Sequence, residues 1–298
     1  MLSRYFWKSW CRHLFARNTQ RGRRFTRGRQ LKSTTVSAVA AEVLETRTLL
    51  STITVTSLAD NSLVDGKVTL REAIKAANTN LSVDGSVAGE ATGQDIIQFA
   101  PGLTGKIQLS GSSLAITSSV RIVGNGAANT VIDAGGLFRV FSISNTSGNV
   151  DFVGVTISGG KTTSSFNHGA GILYSATGTL TLQDSVISGN ATTANRSYGG
   201  AVFSSAGKIK ITNCTITGNS TAGDYSNGGA VALNTGALEV SNSTITGNST
   251  AGKHSMGGGV YSLSGSMSIW NSTFVGNSTS GYNTYGGAFI GWNGNINV

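Results

Sequence analysis

Proline and charged residues are scarce in this chain, and long apolar runs are missing from it. Pro101 is the single proline, and only 12% of the 298 residues are charged, against about a quarter in a typical globular domain. Networks of surface ion pairs therefore cannot be the main source of its stability. No apolar run approaches the roughly 20 residues that a membrane-spanning helix requires, so the sequence predicts no transmembrane segment.

Cysteine is also rare, which excludes a disulfide framework. The two cysteines are Cys11, near the N-terminus, and Cys214, inside a repeated region, and one such pair does not build a cross-linked scaffold. Cys214 occupies a repeat position that is otherwise filled by Ser185, Ser243 and Ser272. We interpret it as a small packed residue, and a reactive thiol is the alternative.

The positive charge of the chain is concentrated at its N-terminus. The formal net charge is +9, yet ten of the 22 Lys and Arg lie within residues 1–32, and the first acidic residue is Glu42. A basic tail can dock on phosphates, but without an organised groove or a base-reading element we predict no nucleic-acid binding. We interpret residues 1–50 instead as a basic export leader that is largely disordered.

The end of this leader carries a short motif. Residues 44–51 read LETRTLLS, which resembles the LEPR-XLL motif near the start of many planctomycete surface and secreted proteins. Thr46 stands where that motif has proline. The resemblance implies export, and hence an extracellular or cell-surface location, associated with the outer membrane.

A repeat dominates the second half of the chain. Two dipeptides, Gly-Gly and Gly-Asn, each recur four times at a spacing of 29 residues, and a degraded earlier copy precedes them at a spacing of 30. Fixed spacing of this kind is typical of stacked repeat architectures. The Gly-Gly pairs begin at Gly199, Gly228, Gly257 and Gly286, and the Gly-Asn pairs begin at Gly189, Gly218, Gly247 and Gly276.

Each repeat contains three short runs with the alternating pattern of a β-strand. When the repeats are aligned, Leu180, Ile209 and Leu238 fall in one apolar column, whereas Lys210 and Glu239 fall in the neighbouring polar column. Stacking of similar residues in every column predicts an all-β fold, a right-handed single-stranded parallel β-helix with three strands per coil. Each coil is expected to rise by one strand spacing, about 4.8 Å.

One polar column falls between the second and third strand of each repeat, where the chain must turn sharply. Asparagine tolerates the left-handed conformation that such a turn can require, and stacked amides can bond one another along the column. We predict a structural ladder there and expect Asn242→Ala to cost about 1–3 kcal/mol. Asparagine glycosylation is the alternative, because three of these residues begin acceptor sequons. The ladder residues are Asp184, Asn213, Asn242 and Asn271.

A helix is predicted ahead of the repeats, at residues 69–78. Thr69 can cap it while Glu72 reaches back, as in a capping box, and Leu70, Ile74 and Ala77 share one face. That face is expected to cover the first coil, since an uncovered coil exposes unpaired strand backbone. We therefore divide the chain after the leader into an N-terminal cap with this helix and an initial strand, residues 51–104, and a β-helix, residues 105–298.

Two further resemblances cover this region. Residues 68–78 (VTLREAIKAAN) are similar to the CSLREA domain of bacterial surface β-helix proteins, with Val68 in place of cysteine. Residues 216–219 (ITGN) and 228–231 (GGAV) resemble the repeats of chlamydial polymorphic outer membrane proteins, in the pectin-lyase-like superfamily. The resemblances imply a β-helix, an architecture shared by lyases, hydrolases, adhesins and passenger domains.

Carboxylates are too sparse in the repeats to predict an active site. Lyases and hydrolases of the pectin-lyase-like superfamily gather several carboxylates on one strand face. From Gly160 onward the only acids are Asp184, Asp224 and Glu239, in three different columns. We assign no catalytic residue, metal or cofactor and favour a module without catalysis, and a carbohydrate-active lyase or hydrolase stays the alternative.

The loops between each Gly-Asn and the next Gly-Gly keep their length while their tips vary. Loops on a rigid scaffold are the usual place for recognition, so we predict an exported structural or adhesive module that binds an extracellular glycan or a surface protein. Solvated spacer loops are the alternative. Because residue 298 aligns with mid-strand positions, we also expect a truncated chain, and a monomer unless its open C-terminal coil pairs. The candidate recognition residues are Arg196, Tyr198, Tyr225, His254, Tyr282 and Tyr285.

Overall fold

The computed structural model describes residues 51–144 and 147–298. The chain divides into two units, Met1–Thr46 and Arg47–Val298, and only the second is described here. The predicted export leader, residues 1–50, lies outside the described residues. Within the described residues, no helix combines the length and the apolar composition needed to cross a bilayer.

The first part of the described chain contains the single helix and the strands of the early coils. In chain order these elements are β1 Thr52–Val55, α1 Leu70–Thr79, β2 Asp95–Phe99, β3 Gly105–Gln108, β4 Leu114–Ile116, β5 Val120–Val123, β6 Thr130–Asp133 and β7 Phe141–Ser144.

From residue 150 to residue 291 each coil contributes four strands, of which the third is only two residues long, and a final strand then begins a further coil. In chain order these strands are β8 Val150–Val153, β9 Thr156–Ser158, β10 Lys161–Thr162, β11 Ile172–Ser175, β12 Thr179–Gln183, β13 Val186–Ser188, β14 Ala191–Thr192, β15 Val202–Ser204, β16 Lys208–Thr212, β17 Thr215–Thr217, β18 Ser220–Thr221, β19 Val231–Leu233, β20 Ala237–Ser241, β21 Thr244–Thr246, β22 Ser249–Thr250, β23 Val260–Ser262, β24 Ser266–Trp270, β25 Thr273–Val275, β26 Ser278–Thr279, β27 Phe289–Gly291 and β28 Ile296–Asn297.

The strands form four parallel sheets that run along the stack of coils. Sheet A has nine strands (β1-β2-β5-β8-β12-β16-β20-β24-β28), sheet B has seven (β3-β6-β9-β13-β17-β21-β25) and sheet C has seven (β4-β7-β11-β15-β19-β23-β27). Sheet D has five strands (β10-β14-β18-β22-β26). The parallel β-helix with three main strands per coil is confirmed, and sheet D adds a short fourth ladder that the sequence did not predict.

The register between coils follows the sequence repeat. Leu180 pairs with Ile209 and Ile209 with Leu238, which are steps of 29 residues, whereas Leu180 pairs with Val150 across a step of 30. A parallel ladder places like positions side by side, so the period in the sequence is one coil of the structure.

Aliphatic side chains fill the interior of the coils, as predicted. Leu180, Ile209 and Ile216 have no exposed surface, and burying such a side chain contributes about 1.5–3 kcal/mol. The outer column of sheet A is polar, with Lys210 beside Glu239 in register. The ion pair of Glu239, however, is with Lys208, at 2.7 Å between Nζ and Oε1.

Helix α1 covers the first coil. Its N-cap is Thr69, and both halves of the predicted capping box are present: the Thr69 hydroxyl accepts from the backbone N–H of Glu72, and the Glu72 carboxylate accepts from that of Thr69. Leu70 and Ile74 are buried against the strands that begin sheets A and C. This arrangement covers the edge that unpaired strand backbone would otherwise expose.

Candidate functional site

The loops between sheets D and C align their tips in one column along the stack. The tip residues all adopt the left-handed conformation, with φ of 61° at Phe166, 56° at Arg196, 57° at Tyr225, 56° at His254 and 53° at Asn283. Residues other than glycine adopt this conformation uncommonly, so its recurrence shows that each loop folds in the same way. Phe166 was missed from the sequence, although the 30-residue step of the degraded repeat aligns it with Arg196.

Backbone hydrogen bonds connect each loop tip to the next. The N–H groups of Arg196, Tyr225 and His254 donate to the carbonyl oxygens one coil further along, at 2.9, 2.8 and 2.8 Å. Backbone hydrogen bonds therefore join successive loops in the same way as they join successive strands. A backbone fixed in this way presents its side chains without the entropy cost of ordering a free loop.

Buried hydroxyl groups support the loops from beneath. Ser197, Ser226 and Ser255 have no exposed surface. The N–H of Ser197 donates to Oγ of Ser226, and the N–H of Ser226 donates to Oγ of Ser255, each at 3.0 Å. These bonds satisfy backbone groups that burial would otherwise leave unpaired.

Aromatic and cationic side chains form a continuous surface file at the tips. The guanidinium of Arg196 lies over the rings of Phe166 and Tyr225, 5.6 and 5.7 Å from their centroids. Tyr225 stacks on His254 at 4.9 Å, and His254 meets the edge of Tyr282 at 6.0 Å. We call these five residues the tip file; Phe166, Tyr225 and Tyr282 are 61%, 48% and 71% exposed.

A second group of rings lies beside the tip file, on the outer face of sheet C. Phe203 and Tyr261, on β15 and β23, flank Ala232 on β19, and Tyr198 leans over them from its loop with ring centroids 6.2 and 6.3 Å away. Burial raises the pKa of Tyr261, the neighbouring Tyr198 acts in the same direction, and a hydrogen bond with Asn227 opposes both. These rings open onto a shallow pocket of about 70 Å³, which we call the sheet C pocket. Its lining residues are Tyr198, Phe203, Leu233, Asn234, Tyr261 and Leu263.

Five of the six candidate recognition residues belong to these two groups. Arg196, Tyr225, His254 and Tyr282 belong to the tip file. Tyr198 lines the sheet C pocket. The sixth candidate, Tyr285, is 56% exposed and bridges in parallel to Met256, in the same repeat column as Tyr198.

The four asparagine-column residues lie on the surface of the turn between sheets A and B. All four are left-handed, with φ of 50° at Asp184, 55° at Asn213, 49° at Asn242 and 46° at Asn271, and all four are exposed. Side-chain bonds join them in pairs: Asn213 donates to Asp184, and Asn271 donates to Asn242.

A second asparagine ladder, buried at its first three members and half-buried at Asn277, follows the same repeat and was not predicted. In the first three members Nδ2 donates to the Oδ1 of the asparagine one coil further on, at 2.9–3.0 Å, and that Oδ1 also accepts a backbone N–H. The signal in the sequence was the recurrent Gly-Asn pair, but its burial could not be read from spacing. The members of this ladder are Asn190, Asn219, Asn248 and Asn277.

The remaining chemical groups are dispersed. Among the described residues, no group of three or more His, Cys, Asp or Glu is placed to hold a metal ion. The carboxylate of Asp224 accepts the backbone N–H of Lys253 at 2.9 Å, and Glu239 lies on sheet A. Cys214 is buried, and desolvation raises the pKa of its thiol to about 11, which suppresses the reactive thiolate.

Comparison of the sequence with known protein families finds no matching family model, and comparison with curated proteins finds no matching relative.

Proposed function

We propose that this chain is an exported surface or secreted β-helix module with a structural or adhesive role, and that its tip file and sheet C pocket bind an extracellular glycan. The observation that carries the proposal is the tip file itself. Exposed apolar groups that form a contiguous patch, unlike single exposed residues, mark binding surfaces, and here the rings are contiguous and aligned on a laddered backbone.

The chemistry of the tip file suits a sugar chain. Exposed tyrosine rings offer flat apolar surface together with a hydroxyl group, at a low entropy cost. Arg196, and the exposed Lys253 next to His254, add donors that can bond to the hydroxyl and carboxylate oxygens of a glycan. Successive tips are one strand spacing apart, about 4.8 Å, so an extended ligand contacts several coils at once.

The resemblances to LEPR-XLL leaders, CSLREA domains and polymorphic outer membrane protein repeats support export to the cell surface. In that setting a protein partner is the other ligand class that the rings would accept. Digestion of intact producing cells with an added protease tests the location, because a surface module is cleaved without lysis.

A binding experiment with a matched variant tests the recognition role. Immobilised protein is titrated with cello-, chito- and galacturono-oligosaccharides, and Tyr225→Ala is compared with Lys210→Ala, on the outer face of sheet A. Loss of one stacking ring is expected to weaken binding about 3- to 10-fold, whereas Lys210→Ala leaves it unchanged. Equal affinities for wild type and Tyr225→Ala, or binding to none of the three series, would contradict the proposal.

The same oligosaccharides and their polymers distinguish recognition from catalysis. If the chain were a lyase or hydrolase, unsaturated or reducing ends would accumulate with time, with or without added calcium. A single carboxylate substitution that abolished such release would replace the adhesive function by an enzymatic one.

A further inference from the structure

His168 lies at the junction between the loops and sheet C. Its ring stacks on Tyr198, at 5.0 Å and an interplanar angle of 13°, and on Phe203, at 4.4 Å and 27°, and those two rings are themselves 6.2 Å apart. Its Nδ1 accepts the backbone N–H of Tyr198 at 3.1 Å. The imidazole therefore fixes both the ring and the backbone of a residue that lines the sheet C pocket.

Accepting that N–H requires a neutral imidazole with its proton on Nε2, because a protonated ring has no lone pair at Nδ1. The repeat supplies a direct comparison two coils further on. There Asn227 occupies the position of His168, and its Oδ1 accepts the N–H of Met256 at 2.8 Å. Equivalent backbone N–H groups are thus accepted at one position by His168, which can be protonated, and at the other by Asn227, which does not titrate.

The groups around the imidazole oppose its protonation. Arg139, from the segment before β7, donates to the backbone oxygens of His168 and Gly169 and to the side chain of Asn167. Tyr198 is the titratable group that faces His168 from the loop before β15, and Phe203 on β15 is apolar. Burial, and then the positive charge of Arg139, hold the pKa of His168 below its ordinary value.

The rings of Tyr198 and Phe203 act to raise the pKa of His168, because a cation is attracted to an aromatic face. That attraction does not restore the Nδ1 lone pair that accepts the N–H of Tyr198. It also does not remove the repulsion between a protonated His168 and Arg139. Since the folded loop binds the proton less readily than a released loop does, the contact is stable at neutral pH and weakens as the pH falls below about 6.5.

We propose that His168 is an acid-sensitive latch: its neutral imidazole holds Tyr198 against sheet C, and protonation releases Tyr198 and opens the wall of the sheet C pocket. The latch would make ligand binding at this face weaker in acid, a consequence that rests on the proposed function. The latch itself is measurable without any ligand.

Amide hydrogen exchange at two equivalent positions tests the latch. In the full chain, the protection factor of the Tyr198 amide is compared with that of the Met256 amide between pH 7.5 and pH 4.5, while the His168 ring is titrated by NMR. We expect the protection of Tyr198 to fall at least 10-fold as His168 titrates, and that of Met256 to stay constant.

His168→Asn gives the matched variant, because it copies the acceptor that Asn227 provides. In this variant the Tyr198 amide is expected to stay protected over the whole pH range. A wild-type Tyr198 amide that stays protected after His168 has titrated would overturn the latch, and so would an equal acid-induced loss of protection in His168→Asn. Neither result depends on glycan binding, so failure of the latch and failure of the proposed function are distinguishable.

Discussion

At the scale of single residues, the two asparagine files show how burial decides what one residue type contributes. Asn248 is fully buried, and its amide donates to the carbonyl oxygens of Ile216 and Thr246 and to Oδ1 of Asn277, at 2.9–3.1 Å. Asn242 is exposed, and water can replace its side-chain bonds. What Asn242 still contributes to stability is that asparagine adopts the left-handed backbone conformation with little strain.

Asn248→Ala is therefore expected to destabilise the chain far more than Asn242→Ala. Truncating the buried amide leaves several backbone groups unpaired and lowers the free energy of unfolding by about 2–4 kcal/mol. Alanine at position 242 only strains the left-handed backbone, which costs about 1 kcal/mol. Urea unfolding followed by circular dichroism measures both. Asn242→Gly, which relieves the strain, should restore most of the loss, and equal losses for Asn248→Ala and Asn242→Ala would contradict the distinction.

At the scale of the structural element, the Gly-Gly pairs mark where the loops enter sheet C. Gly228 has φ of +71°. The φ of Gly229 does not lie in the left-handed region, but a Cβ there would lie 2.2 Å from the carbonyl oxygen of Gly258. The first glycine thus serves the turn and the second serves the close approach of adjacent coils. Gly247, with φ of +62° and no atom within 4 Å of an added Cβ, serves only its turn.

Alanine substitutions separate these two requirements. Gly229→Ala is expected to cost about 3 kcal/mol or more, because the backbone of the next coil must move. Gly247→Ala is expected to cost about 1–2 kcal/mol, from backbone strain alone. Thermal unfolding of the two variants checks the order, and a milder effect at position 229 than at position 247 would show that the coils yield easily.

At the scale of the whole molecule, each coil contacts chiefly the coils before and after it. Sheets A, B and C each add one strand per coil, so stability accumulates from neighbouring interfaces, as in other repeat architectures. A complete coil should then be removable, provided that the register is kept.

Deleting residues 214–242, a segment of 29 residues, joins Asn213 to Ser243 and preserves every column. We expect the shortened chain to keep its β-sheet circular dichroism and to unfold at a somewhat lower temperature. Deleting residues 214–228 instead joins Asn213 to Gly229 and breaks the register, and this chain is expected not to fold. Cooperative unfolding of the second deletion, or collapse of the first, would contradict the nearest-neighbour account.

Most of the fold could be predicted because its rules are local. The alternation of Leu180 and Leu182 with polar neighbours determines which side chains face inward, the 29-residue step determines the register, and Thr69 with Glu72 determines where the helix begins. Sheet D could not be predicted, since a strand of two residues carries no periodicity of its own.

The repeat pattern alone is enough to predict that the chain coils, which columns form the core, and which loops vary. The folded chain was needed to show that Asn219 is buried while Asn213 is exposed, that Arg196 lies between two rings, and that His168 accepts the N–H of Tyr198. One cause explains all three. Alternation along a strand is fixed by backbone geometry, whereas the burial and contacts of a turn residue depend on how the loop closes against the next coil.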